Sequence, residues 1–150
     1  CWEVQALKLM RHMTDIGVIG GKVLTPFGQI ESAGLFIHRG IPNDIGVGQP
    51  GHILTNIYEC PLVPWCCVFV RKAAVKDGLP EGIYKPFRGW DDLDNCMLLH
   101  QQGWKIYYCG YGASYHEGHA TRGNPTLDAG RETDENGRIF RKRWGIEPKS

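Results

Sequence analysis

The sequence predicts an α/β domain with a mixed sheet and flanking helices. Runs rich in β-branched residues alternate with stretches whose apolar residues recur every three or four positions. Apolar residues make up 42% of the 150-residue chain, enough for a packed core in one domain spanning 1–150. Glycine and proline gather between these runs, where they end helices and strands.

Along the chain, Val4, Leu7, Met10 and Met13 recur at helical spacing, so 2–14 reads as a first helix. "IGVIGGKVL" (16–24) reads as a strand, "TPFGQ" as a turn, and "IESAGLFIH" (30–38) as a second strand pairing back. Residues 39–60 read as a long loop punctuated by Gly40, Pro42, Gly46, Gly48, Pro50 and Gly51. "PLVPWCCVFVRKAAV" (61–75) predicts a buried strand, near 62–71, running into a short helix. Residues 78–90 form a further loop.

"DDLDNCMLLHQQG" then predicts a helix from 91, with Leu93, Cys96, Met97 and Leu99 facing the core. Its acidic start suits the positive end of the helix dipole, and Gly103 is a natural stop. A strand follows over 104–110, then a shorter strand or loop over 113–119. A last helix fits 132–144, although Gly137 weakens it.

Charge and cysteine content narrow the function. Net charge is +1 with no long basic block, which argues against nucleic acid as a partner. No apolar run reaches the ~20 residues that span a bilayer, and no secretory pattern is expected. Six cysteines show no C-x-x-C pair, so they read as reduced core thiols, with Cys66 and Cys67 as small buried hydrophobes. Reduced thiols point to a cytoplasmic setting. The chain opens on Cys1 rather than Met, as a piece of a longer protein would.

The densest chemistry lies at "GWDDLD" (89–94). One reading has Asp91 capping the helix, with Asp92 and Asp94 stabilised in its first turn. The other singles out Asp92, which follows a Gly-Trp loop and is kept ionised by the helix start. Such a carboxylate can take a proton from an attacking hydroxyl. Trp90 offers an aromatic platform of the kind that holds sugar rings.

In "YHEGH" (115–119), two histidines three apart could supply one or two metal ligands, or be plain loop residues. "DLD" matches a short cation-binding string, but a helix start is the wrong context, and we set it aside. Trp65 lies in an apolar run and reads as core. The basic "RIFRKRW" reads as a solvated helix face, with contact to a membrane surface or an acidic ligand as the alternative.

The order of several segments resembles family 2 glycosyltransferases of the GT-A fold. "IGVIGGKVLTPFGQIESAG" is similar to that family's strand, "pdG" turn and strand ending in "aG". "VFVRK" looks like its "llirRe", "GWDDLDNCMLLHQQGWKIYY" resembles its "eDvDlclRlrkaGwri.y", "YHEGH" its "Hh.g", and "FRKRWG" its closing "f..kWg". The match covers nearly the whole chain. Leu98 stands where the family has Arg, and Trp65 where it has a small residue, which alters the expected acceptor pocket.

The resemblance implies a partial GT-A fold, specifically the carboxy-terminal, acceptor-binding half. The family's amino-terminal nucleotide-binding part and its own D-x-D find no counterpart here. It places Asp92 on the base that deprotonates the acceptor, Asp91 on the neighbouring acid that helps position it, and Asp94 in a helix-stabilising role. Trp90 and Trp65 fall at the substrate-binding surface. His116 falls on a metal-associated histidine, and the implied cofactor is a divalent Mg or Mn held together with the nucleotide-binding half. The implied partners are a nucleotide-sugar donor, a carbohydrate or lipid-linked acceptor and a separate amino-terminal half, with membrane association as an option. Two other classes remain open: a non-catalytic carbohydrate-binding module, and an interaction fragment whose exposed sheet edge awaits another chain.

Overall fold

The computed structural model describes residues 2–85, 89–117 and 127–146. It has a mixed sheet with helices on both faces, in the order α1 (Trp2–His12), β1 (Ile16–Leu24), β2 (Ile30–Ser32), β3 (Leu35–His38), β4 (Ile41–Asp44), β5 (Ile57–Glu59), β6 (Val68–Val70), α2 (Asp91–Gln101), β7 (Lys105–Tyr115) and α3 (Leu127–Trp144). A 3-10 turn, Lys72–Val75, follows β6.

β1 is the spine. All nine of its residues are buried, as expected of a near-continuous apolar run covered on both faces. It pairs in parallel with β7, from Ile16↔Lys105 to Leu24↔Tyr115. It pairs antiparallel with β6 (Gly20↔Val68) and with β2 (Leu24↔Ile30). β5 adds to the far side of β7. Gly20 lets the sheet approach Val63, because a methyl group there would sit 2.6 Å from the valine Cβ.

Each face of the sheet buries its own cluster. Ala6 and Met10 of α1 cover Ile16, Ile19 and Cys109. Leu93, Cys96 and Leu99 of α2, with Phe140 of α3, cover Val18, Ile106 and Tyr108. Each fully buried aliphatic side chain contributes roughly 1.5–3 kcal/mol, so this larger cluster anchors α2. Met97 is only half-buried, unlike Leu93, Cys96 and Leu99.

Several boundaries differ from the sequence reading. The expected strand over 30–38 breaks at Gly34, whose φ of 93° turns the chain. β3 then leaves the main sheet and pairs with β4. The expected loop over 39–60 therefore contains β4 and β5, each too short to carry a clear alternation. Only Val68–Val70 of 62–71 is strand, because residues 65–67 form a turn and bend. β7 runs on through Tyr115, taking in residues read as a separate strand or loop. α3 starts at Leu127 and tolerates Gly137, which leaves room for Trp90: a methyl group there would lie 2.8 Å from the indole.

The five described cysteines are free thiols. Cys60, Cys96 and Cys109 are buried as expected, but Cys66 is exposed and Cys67 half-buried, because the turn lifts both out of the core. Among the described residues, no helix is long and apolar enough to cross a membrane.

Candidate functional site

The start of α2 is held in an unusual backbone. Trp90 has a φ of 79° and follows Gly89 at 70°. A non-glycine residue in this left-handed region costs roughly 1–2 kcal/mol, and the packing around it must hold it there. The Trp90 ring lies 5.3 Å from that of Phe140, and its carbonyl accepts the Asp94 amide at 2.9 Å. Its half-buried indole is thus partly committed to α3. Asp91 does not cap the helix: Trp90 occupies that position and no side chain bonds there, while Asp91 is exposed as the first helical residue.

Asp92 is half-buried, and its Oδ1 accepts the Leu93 amide at 2.9 Å. Burial raises its pKa to about 6, with the charge on Asp91 adding to the rise and the backbone amides of Leu93, Trp65 and Asp92 opposing it. The helix start therefore does not dominate as the sequence reading expected. The balance suits proton transfer, since a base works best with a pKa near the operating pH.

Across from Asp92 lies the Trp65–Cys66 turn. Trp65 is half-buried, and its Nε1 donates to Cys96 Sγ at 3.3 Å. Its polar edge is thus tied to α2, in line with the core reading. Burial pushes the Cys66 thiol up to about 11, followed by the charges of Cys67, Glu31 and Asp92. Cys66 therefore lies within electrostatic reach of both Asp92 and Glu31. The neighbouring Cys67 Sγ accepts the Ser114 hydroxyl at 2.7 Å.

Glu31 binds His116, whose Nδ1 lies 3.0 and 3.1 Å from the two carboxylate oxygens. The sheet creates this pair. Leu24 is in register with both Ile30 and Tyr115, so the next residue on each side, Glu31 and His116, flanks the same strand end. The His116 amide also donates to the Leu24 carbonyl at 2.8 Å. A carboxylate on one ring nitrogen fixes the imidazole and leaves the other nitrogen to face a metal, a common arrangement around metal-bound histidines. No described residue bonds Nε2. The residues thus fit one oriented metal ligand rather than a complete site, since no group of three potential ligands occurs among the described residues. Glu117 is exposed, and His119 lies outside the described residues.

Asp94 faces away from all this. It is fully buried, and its Oδ1 accepts Trp144 Nε1 at 2.6 Å, Arg143 Nε at 2.9 Å and the Tyr84 hydroxyl at 3.0 Å. Burial, and then the charge of Asp94, push the Tyr84 hydroxyl above its usual range. Asp92 and Asp94 thus sit in different surroundings, which supports setting aside "DLD" as a cation motif.

The sequence reading missed Glu31, Cys66 and the Tyr84–Asp94–Trp144 cluster. No local signal marks them, because each depends on partners distant in the chain. No protein family model, curated protein or solved structure matches this chain.

Proposed function

We propose that the chain supplies the acceptor side and the catalytic base of an inverting, family 2-like glycosyltransferase of GT-A type. The observation that carries this reading is Asp92, a half-buried carboxylate beside Asp91 with its pKa raised to about 6. The charges of that carboxylate and of Glu31, the residue that orients His116, both help raise the Cys66 thiol.

In this reading the acceptor hydroxyl approaches the anomeric carbon of a nucleotide-sugar from the face opposite the diphosphate. The new carbon–oxygen bond forms as the bond to the diphosphate breaks, inverting the carbon, and Asp92 takes the hydroxyl proton. Asp91 keeps the Asp92 proton affinity high and helps position the acceptor. Trp90, which directly precedes the two acids in the chain, would offer the part of its indole not packed on Phe140 to a sugar ring, and Trp65 braces Asp92 through its backbone amide. A divalent Mg or Mn ion, when bound, supplies electrostatic stabilisation of the departing diphosphate. His116 Nε2 would be one of its ligands, with the nucleotide-binding half providing the others. Free thiols support a cytoplasmic setting.

The test is kcat/KM across pH in the enzyme with both halves present. Asp92→Asn should lose about 10²–10⁴ in turnover, the usual range for removing a general base. The wild type should show an acidic limb near the Asp92 pKa of about 6, and the variant should lack it. Asp91→Asn should cost less than Asp92→Asn and move the acidic limb to lower pH, because it removes a charge that raises Asp92. Retained activity in Asp92→Asn would overturn the assignment. The 150-residue chain alone should transfer no sugar, because catalysis needs donor and acceptor held together.

A further inference from the structure

A groove of about 540 Å³ lies between the β1–β2 turn and the loop before β5, lined by Leu24, Phe27, Gln29, Pro50, His52, Tyr115 and three glycines. Two features set it apart. Phe27 is 91% exposed and Tyr115 is 70% exposed, so two large rings stand in water at its rim. The lining carries no Asp, Glu, Lys or Arg.

The groove is also built rather than loose. Gly28 N–H bonds the Thr25 carbonyl at 2.9 Å, closing the turn that carries Phe27. The Gly51 amide donates to the Gly28 carbonyl at 2.9 Å, and the Ile30 amide to that of Gln49 at 2.7 Å. Beneath them Lys22, only 2% exposed, donates through Nζ to the carbonyls of Gly51 at 2.8 Å and Ile53 at 2.5 Å. A buried ammonium needs such partners, and here it fixes one wall of the groove. A methyl group on Gly51 would sit 2.6 Å from the Gly28 oxygen, so the two walls touch.

We propose that this groove binds an uncharged oligosaccharide, with Phe27 and Tyr115 as stacking faces. Two aromatic planes suit the C–H faces of sugar rings, and Gln29 and His52 can meet their hydroxyls. A wholly apolar occupant would not engage the exposed Gln29 and His52, and the lining offers no Lys or Arg to a phosphate-bearing one. Walls fixed in advance lose little freedom on binding. The inference rests on the groove itself and does not require Asp92 to be a base.

The experiment titrates the isotopically labelled 150-residue chain with chitotetraose, cellotetraose and maltotetraose, following amide shifts by NMR. Saturable shifts confined to residues 24–29, 48–52 and 115 with at least one sugar are expected. Phe27→Ala and Tyr115→Ala should each weaken binding at least about fivefold. Phe36→Ala, an exposed ring on β3, should leave it unchanged. Asp92→Asn should also bind normally, which separates this site from the proposed catalytic base. Absence of binding by all three sugars would overturn the proposal. So would indifference to both groove variants, loss of binding in Phe36→Ala or Asp92→Asn, or displacement of the sugar by pyrophosphate.

Discussion

Trp144 Nε1 donates to Asp94 Oδ1 at 2.6 Å, joining the last residue of α3 to the first turn of α2. Arg143 and Tyr84 reach the same oxygen, so one buried carboxylate gathers α2, α3 and Tyr84. The acid that the sequence assigns to helix stabilisation acts by tertiary contact instead.

Asp94→Ala should therefore destabilise the fold by about 2–4 kcal/mol, because it leaves buried donors without an acceptor. Trp144→Phe, which removes one hydrogen bond and keeps an aromatic ring, should cost about 1 kcal/mol. Urea denaturation of the two variants checks both values, and equal costs would mean that the tryptophan bond alone carries the cluster. Asp94→Asn is accordingly a poor control for Asp92→Asn.

Asp92 makes stability depend on pH in a stated direction. Its pKa rises from 3.8 to about 6 on folding, so the folded state holds the proton more tightly than the unfolded chain. The stabilisation from that proton is complete below pH 3.8 and is lost as pH rises through about 6. Asp92→Asn removes this loss and should be more stable than wild type above neutrality, by about 1–3 kcal/mol. The gap should close in acid. Unfolding of both proteins between about pH 4 and 8 tests it, and a gap independent of pH would show that burial does not raise this carboxyl.

Gly110 is a packing requirement. A methyl group there would collide with the Leu54 carbonyl oxygen. That oxygen accepts the Tyr108 hydroxyl at 2.8 Å, and the Gly110 amide donates to Asn56 at 2.9 Å. Gly110→Ala should cost about 1–3 kcal/mol and loosen the loop before β5. Thermal unfolding reads the cost, and hydrogen exchange at residues 54–59 reads the loosening. A neutral substitution would mean that the loop shifts freely.

Glu31→Gln tests the imidazole pairing on the proposed reading. It keeps the size of the side chain but removes the carboxylate that orients His116. In the enzyme with both halves present, the concentration of Mn needed for half-maximal rate should rise about 10–100-fold, with the saturated rate largely restored. His116→Ala should show at least as large a rise. No change in either variant would remove His116 from the metal's surroundings.

The sequence by itself determined the elements whose signal is local. The β-branched run over 16–24 read as a strand, as observed, and the spacing of Leu93, Cys96 and Leu99 placed α2 within one residue of its observed start. The acidic start of α2 was legible because three aspartates in four positions are conspicuous in any chain. Tertiary structure decided what each acid does. Asp92 and Asp94 are two residues apart with the same chemistry, yet one rises toward neutrality beside Asp91 and the other sits under Trp144, 50 residues away. Glu31 and His116 are 85 residues apart and meet only because Leu24 pairs with strands on both its sides. A carboxylate's proton affinity and partners depend on burial and on neighbours brought in by sheet pairing and helix packing, and these are long-range contacts that no local pattern encodes.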